Sequence, residues 1–357
     1  MMIIQVLPTV SYGDAVSNDA RAIAKVIAEM GYKTGIYAEN IDRRVTDPLV
    51  HSVSRLPKLG NDDIVIFNHS TGTELCYKLS ELNGRKMMIY HNITPPSFFE
   101  NYSITARDLT RKGYEGTAFL RGQINYVMAD SAYNAADLKG MGYNCKMDVR
   151  PILVPFDDYK KEPDKNIIEQ YGNDGYTNIL FVGRIAPNKK HEDLIAAFAY
   201  YKKNVNPKSR LILAGSYVGM ERYYKALKNY VSALMVEDVV FTGHTSFASI
   251  LAYYKIADLF LCMSEHEGFC VPLLEAMFFE KPIVAFDSCA VPDTLGGSGV
   301  LIKDKAPVFV SLLIDRIVKD KALREQIIRK QNERLKYFSY NNIKEMFTEQ
   351  LKGFIEQ

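Results

Sequence analysis

Short, almost unbroken apolar runs alternate along the chain with longer stretches whose apolar residues recur every three or four positions. "MIIQVLP" is followed by "NDARAIAKVIAEMGY", where Ala22, Ile23, Val26, Ile27 and Met30 fall on one helical face. "KTGIYA", "DIVIFNH", "KMMIYHN", "INYVMADS" and "KMDVRPILVPF" come next, mostly separated by helical or long polar segments. Unbroken runs predict strands buried on both faces, and the periodic stretches predict the helices that cover them. Such an alternation predicts an α/β fold with a mainly parallel sheet. Residues 156–177, "FDDYKKEPDKNIIEQYGNDGYT", interrupt it with charge, Gly and Pro, and read as a linker with a short helix. It restarts with "NILFVGR", "RLILAG", "DVVFTG", "DLFLCMS" and "PIVAFD", so a second doubly wound domain is the simplest account. After Ala306 the chain reads as mostly helical, with a break at "YFSYNN". The predicted division is a first domain over 1–155 and a second over 156–336. A last segment, 337–357, is expected to pack back on the first domain as a helix.

The length, 357 residues, suits about two domains at roughly 150 residues each. The formal net charge of +2 lacks the basic excess of a nucleic-acid binder. Five cysteines lie scattered without a C-x-x-C pair. That pattern suits a reducing cytoplasm and speaks against a structural zinc or a disulfide framework. The N-terminal "MMIIQVLPTVSYGDAV" reads as a first strand, not a signal peptide. No apolar run approaches the ~20 residues that span a bilayer. The expectation is a cytoplasmic protein, at most peripheral to a membrane.

Ligands of open parallel sheets bind beyond the carboxyl ends of the strands. In "FVGRIAPNKKHEDLIAAF" a strand ends near Gly183, and Arg184 with Lys189 or Lys190 occupies the loop before a helix. Cations and a helix N-terminus directed at one place make an anion site, although a solvated basic loop has the same composition. In "SEHEGFCVPLLEAM", Pro272 suits the first helical position, and the backbone from Gly268 through Phe269 and Cys270 to Val271 leads into it. Glu275 follows one turn later, and Glu267 precedes the turn. Carboxylates grip vicinal hydroxyls, so Glu275 fits a ribose and Glu267 a second polyol such as a hexose. The helix dipole, worth ~0.3–1 kcal/mol, would explain Glu275 alone but not Glu267 beside it. Ribose, diphosphate and hexose together describe a nucleotide-sugar. No Asp-x-Asp occurs, so the diphosphate is expected to be met by Arg184, a lysine and helix N-termini, without a metal.

These residues carry a resemblance. "FVGRIAPNKKHEDLI", "HEGFCVPLLEAM" and "CAVPDTLGGSGVLI" resemble the C-terminal domain of retaining glycosyltransferases of family 4, whose hallmark is two glutamates with seven residues between. "YHNITPPSFF" and "ADSAYNAADLKGMGY" resemble a bacterial subgroup with O-antigen and capsule mannosyltransferases. The resemblance covers essentially the whole chain. It implies a GT-B fold, with two Rossmann-like domains facing each other across a cleft. It further implies that Arg184 and Lys189 bind the donor diphosphate, Lys189 matching the spacing better than Lys190. Glu275 would take the ribose and Glu267 the hexose, helped by the amides of Phe269 to Val271. Gly243 and His244 in "FTGHTS" match contacts to the base, and His91 in "YHN" matches a sugar-facing histidine.

The first loop departs from the family's usual Gly-Gly pair. "SYGDAVSND" offers only Gly13 for close backbone approach, with Asp14 as an acceptor contact and Ser17 or Asn18 as helix caps. "GGSG", Gly296 to Gly299, lacks the strand–loop–helix setting of a phosphate loop and reads as a turn. "YSITARDLTRKGYEGTAFLRG" mixes cations with aromatics, as a solvated helix or as a face toward an anionic membrane. The expected activity is metal-free transfer of a hexose with retention, mannose from GDP-mannose first, to a glycan or lipid-linked acceptor. UDP-hexoses and dTDP-rhamnose stay open as donors. The competing readings are a synthase or phosphorolytic enzyme of the same fold, and a non-catalytic nucleotide-sugar-binding partner of a transferase.

Overall fold

Seven strands build the first sheet: β1 (Met2–Val10), β2 (Lys33–Ile41), β3 (Val50–Ser52), β4 (Ile64–His69), β5 (Arg85–Tyr90), β6 (Tyr126–Ala129) and β7 (Lys146–Val149). The computed structural model, which describes all residues 1–357, pairs them in parallel in the order β3-β2-β1-β4-β5-β6-β7. Side chains alternate between two cores because successive strand residues point to opposite faces. Ile3, Ile64, Ile66, Met87, Ile89 and Met128 feed one core, while Ile4, Val65, Phe67, Met88 and Val127 feed the other.

The first of these cores is closed by two helices. Ala15–Glu29 contributes Ile23, Val26 and Ile27, with Ala22 and Met30 partly buried against them. The helix Tyr340–Ile355 contributes Ile343, Phe347, Leu351 and Phe354, each worth roughly 1.5–3 kcal/mol on full burial. Arg85 donates to the carbonyls of Phe354 and Ile355 at this helix's C-terminus and lies 4.0 Å over the Phe354 ring.

Six further strands form a second all-parallel sheet: β8 (Thr177–Val182), β9 (Ser209–Ala214), β10 (Val239–Gly243), β11 (Leu259–Cys262), β12 (Ile283–Phe286) and β13 (Val300–Ile302). Their order is β10-β9-β8-β11-β12-β13, the Rossmann order in which the winding reverses between β8 and β11.

The chain divides into two compact units. One is Met1–Pro96, Arg107–Pro155 and Tyr337–Gln357; the other is Ser97–Ala106 and Phe156–Lys336. The expectation that the first domain runs unbroken to 155 is corrected at Ser97–Ala106. There Tyr102 meets Tyr223 edge-on at 4.9 Å and Phe98 lies 6.2 Å from His266. "KMDVRPILVPF" is also shorter as a strand than its apolar pattern suggests. β7 stops at Val149 because the Arg150 side chain turns to Asp19 and Pro151 has no N–H to pair. β3 was not visible in the sequence pattern. "GGSG" is a turn before β13, with Gly296, Gly297 and Gly299 at positive φ.

Candidate functional site

The loops leaving β8, β9 and β10 are stitched together by glycine. Gly183 N–H donates to Ala214 and Ile185 N–H to Ser216, while Gly215 and Gly243 pair as an isolated bridge. A Cβ on Gly215 would stand 1.9 Å from the Gly183 carbonyl oxygen, so only glycine fits. Gly243 holds φ at 67°, in the left-handed region, and so shapes this shelf; His244 beside it is exposed. Arg184 stands on the same shelf, exposed, with a long contact of 3.5 Å to the Val218 carbonyl.

Beyond Arg184 the loop makes one 3-10 turn, Pro187–Lys189, whose middle residue anchors it. Buried Asn188 donates to the His266 carbonyl at 3.0 Å and accepts from Glu265 N–H at 2.9 Å. The β8 loop is thereby tied to the β11 loop across the point where the sheet order reverses. Lys189 then reaches Glu267, its ammonium 2.6 Å from the carboxylate. Burial favours the neutral amine, but the charge and hydrogen bond of Glu267, with the neighbouring Cys270 and Cys262, together hold the Lys189 pKa above the usual lysine value. Lys190 turns elsewhere, to Glu265 at 3.2 Å and Glu192 at 3.7 Å. The far side of the β11 loop is held by Ser288, which donates to Ser264, by Ala290, whose N–H donates to Glu267, and by Thr294, which donates to Phe269.

Gly268, Phe269 and Cys270 complete this loop, and the helix Val271–Phe278 starts directly after it with Pro272 in its first turn. Glu275, one turn in, accepts from Tyr159 at 2.7 Å and from Tyr254 at 2.6 Å. Burial raises its pKa above the ordinary glutamate value against the opposing effect of both hydroxyls. The two tyrosines escape sequence reading, since neither lies near Glu275 along the chain. The two glutamates therefore differ in company: Glu267 faces a cation, and Glu275 faces neutral donors.

In the first unit His91 is buried, and both ring nitrogens are engaged. Nδ1 lies 2.7 Å from Asp130, and Nε2 lies 3.3 Å from Asn68 Oδ1. Gln5 donates its amide to the Ala20 carbonyl and accepts from Asn68, which turns the Asn68 oxygen toward His91. Nε2 must then donate. Burial works against a charged ring, but Asp130 outweighs it and raises the His91 pKa. Arg150 completes the cluster with a bidentate pair to Asp19 at 2.9 and 2.6 Å, and it lies 3.8 Å from Asp130. The expected sugar-facing histidine is thus an inward-facing one, with 3% of its side chain exposed.

The first loop is corrected as well. Asp14 is the N-cap of the helix Ala15–Glu29, accepting from Ser17 N–H at 3.0 Å and from the Ser17 hydroxyl at 2.8 Å. Ser17 and Asn18 are inside the helix. Gly13 has open space where a Cβ would stand, so its φ of 76° is what calls for glycine.

The cysteines are less scattered than their spacing implies. Cys262 at the end of β11 and Cys270 before the helix bring their thiols together with the Glu267 carboxylate, the ligand atoms lying within 4.8 Å of one another. No helix is long and apolar enough to cross a membrane.

Two doubly wound parallel-sheet units with a basic loop and an acidic loop at the second switch point define the fold class: it is the GT-B fold of glycosyltransferases. Residues 163–334, just under half of the chain, match the family model described as "Glycosyl transferases group 1". An uncharacterized glycosyltransferase of Methanocaldococcus jannaschii is 30% identical over 165 residues, 45% of this chain and 41% of that protein. A GDP-mannose-dependent alpha-mannosyltransferase of Mycolicibacterium smegmatis is 30% identical over 152 residues, 43% of this chain and 34% of that one. These matches span less than half of either relative's length. The solved structure of HepE from Anabaena in complex with UDP-glucose has a TM-score of 0.78 at 17% identity, covering 99% of this chain and 100% of that chain. At that identity the likeness speaks for the fold.

Proposed function

We propose that this protein is a retaining glycosyltransferase that moves a hexose from a nucleotide-sugar to a glycan or lipid-linked acceptor in cell-surface polysaccharide synthesis, without a metal. GDP-mannose is the first choice of donor, in keeping with the mannosyltransferase among its relatives. The observation that carries the reading is the pairing of Lys189 with Glu267 across the switch point, beside exposed Arg184.

A diphosphate entering there meets two cations. Each charge-assisted hydrogen bond is worth roughly 1.5–3 kcal/mol, and more as charge develops on the departing group. Glu267 then turns to the donor hexose, and Glu275, already oriented by two tyrosines, takes the ribose hydroxyls. The amides of the segment from Gly268 to Val271, together with Gly243 and His244, complete the donor contacts. The acceptor hydroxyl attacks from the face of the leaving group, with a donor phosphate oxygen as its base. A contact from His91 to the sugar needs one ring nitrogen released, and Nε2, held at 3.3 Å, has the weaker bond.

Calorimetric titration with GDP, UDP and dTDP in EDTA tests the proposal. GDP is expected to bind, and Glu275→Ala to weaken it. No nucleotide binding, or binding only with added Mg²⁺, would remove the metal-free site; unaltered affinity in Glu275→Ala would remove the ribose assignment.

A further inference from the structure

The loop between β11 and the helix Val271–Phe278 carries chemistry that glycosyl transfer does not use. Cys262 and Cys270 are buried free thiols at its two ends, and between them the backbone returns the Glu267 carboxylate to the same spot.

We propose that Cys262, Glu267 and Cys270 form a three-ligand site for a thiophilic divalent cation of the Zn²⁺ class. Three observations converge on it. The first is spacing. A tetrahedral ion with bonds of about 2.3 Å to sulfur and 2.0–2.2 Å to oxygen holds its ligands roughly 3.5–3.8 Å apart. The present separations, all within 4.8 Å, need a contraction of roughly 1.0–1.3 Å at most. The second is charge. Binding releases one proton from each thiol, so a dication, two thiolates and a carboxylate sum to one negative charge. The Lys189 ammonium, 2.6 Å from Glu267, brings the buried cluster to neutrality. The third is ligand type: two sulfurs select against Mg²⁺ and Ca²⁺, which take oxygen. Three protein ligands leave a fourth position for water or another donor atom.

One consequence rests on the proposed function. With the ion bound, Glu267 and Lys189 are both committed, so the cation and a nucleotide-sugar compete. The ion is then an inhibitor, not a cofactor.

Co²⁺ titration of the reduced, metal-stripped full-length protein tests the site apart from any activity. One equivalent is expected to give a thiolate-to-cobalt charge-transfer band and the visible bands of a tetrahedral ion, both removed by Zn²⁺. Cys262→Ser and Cys270→Ser should each abolish the charge-transfer band or weaken binding at least about tenfold, whereas Cys145→Ser should leave it unchanged. Absence of the band, or its survival at unchanged affinity in Cys270→Ser, overturns the proposal. Should a variant fold poorly, alkylation of the native protein decides instead. Zn²⁺ is expected to protect Cys262 and Cys270 selectively, and equal labelling with and without Zn²⁺ counts against the site. Nucleotide titration with and without Zn²⁺ reads the competition separately: a fall in GDP affinity supports it, and unchanged affinity with the ion bound overturns it. Nucleotide binding in EDTA tests the transferase reading by itself.

Discussion

The two units share one topology and use the carboxyl ends of their strands in opposite ways. In the first, His91, Asp130, Arg150, Asp19, Asn68 and Gln5 bond mostly among themselves in a buried cluster, leaving Asp130 Oδ1 and Arg150 Nε without a hydrogen bond. Arg150 is met there by Asp19 and lies 3.8 Å from Asp130, which His91 faces in turn. In the second, Arg184 is exposed, Lys189 is half-buried, and one glutamate faces the lysine. The same winding therefore yields a buried, inward-facing polar cluster in one place and, on the proposed reading, an anion site in the other. What differs is whether charge is left over after the chain has satisfied itself.

That contrast can be broken by substitution. Arg150→Met should cost about 3–5 kcal/mol in urea denaturation, because it strands Asp19 and Asp130 in a buried setting. A loss near zero would mean that the first cluster is not structural. Gly215→Ala must push the Gly183 carbonyl aside, and a loss of about 1–3 kcal/mol is expected, together with weaker nucleotide binding. Arg184→Ala should leave thermal stability within about 0.5 kcal/mol, as for most surface changes. Its GDP affinity should fall roughly tenfold to hundredfold, the equivalent of one charge-assisted hydrogen bond. A comparable stability loss in Arg184→Ala and Arg150→Met would erase the distinction between the units.

The smallest effect sharpens the picture of Glu275. A carboxyl whose pKa is raised becomes charged only at higher pH than an ordinary glutamate. Nucleotide affinity that needs the carboxylate should therefore fall off on the acid side earlier than the usual 4.5 would give. Tyr254→Phe removes a hydrogen bond that lowers this pKa, so the acid limb should move further up in pH. An acid limb that stays in place would detach Tyr254 from the site.

The strands were legible because parallel strands buried on both faces are written as apolar runs such as "DIVIFNH" and "RLILAG". That a basic and an acidic loop each follow such a run was legible too, whereas the choice of Lys189 over Lys190 came from the family resemblance. Contacts between residues far apart in sequence were not. Nothing local marks Asn188 as the tie between the two loops, or Tyr159 and Tyr254 as partners of Glu275. Arg150 was hidden inside a run read as strand, and its partner Asp19 lies 131 positions away. Asp14 shows a different ambiguity. "GDAVSND" offers several capping side chains within a few residues, and the helix begins at the earliest of them.

The first unit is discontinuous along the chain, and this bears on the order of synthesis. Its sheet is complete by Val149, yet Ile343, Phe347, Leu351 and Phe354 supply one wall of its core. Every residue from Phe156 to Lys336 must be made before that wall arrives. During translation the later unit can therefore finish folding while the earlier one still exposes an apolar face, a stretch of time in which aggregation or chaperone capture competes with closure.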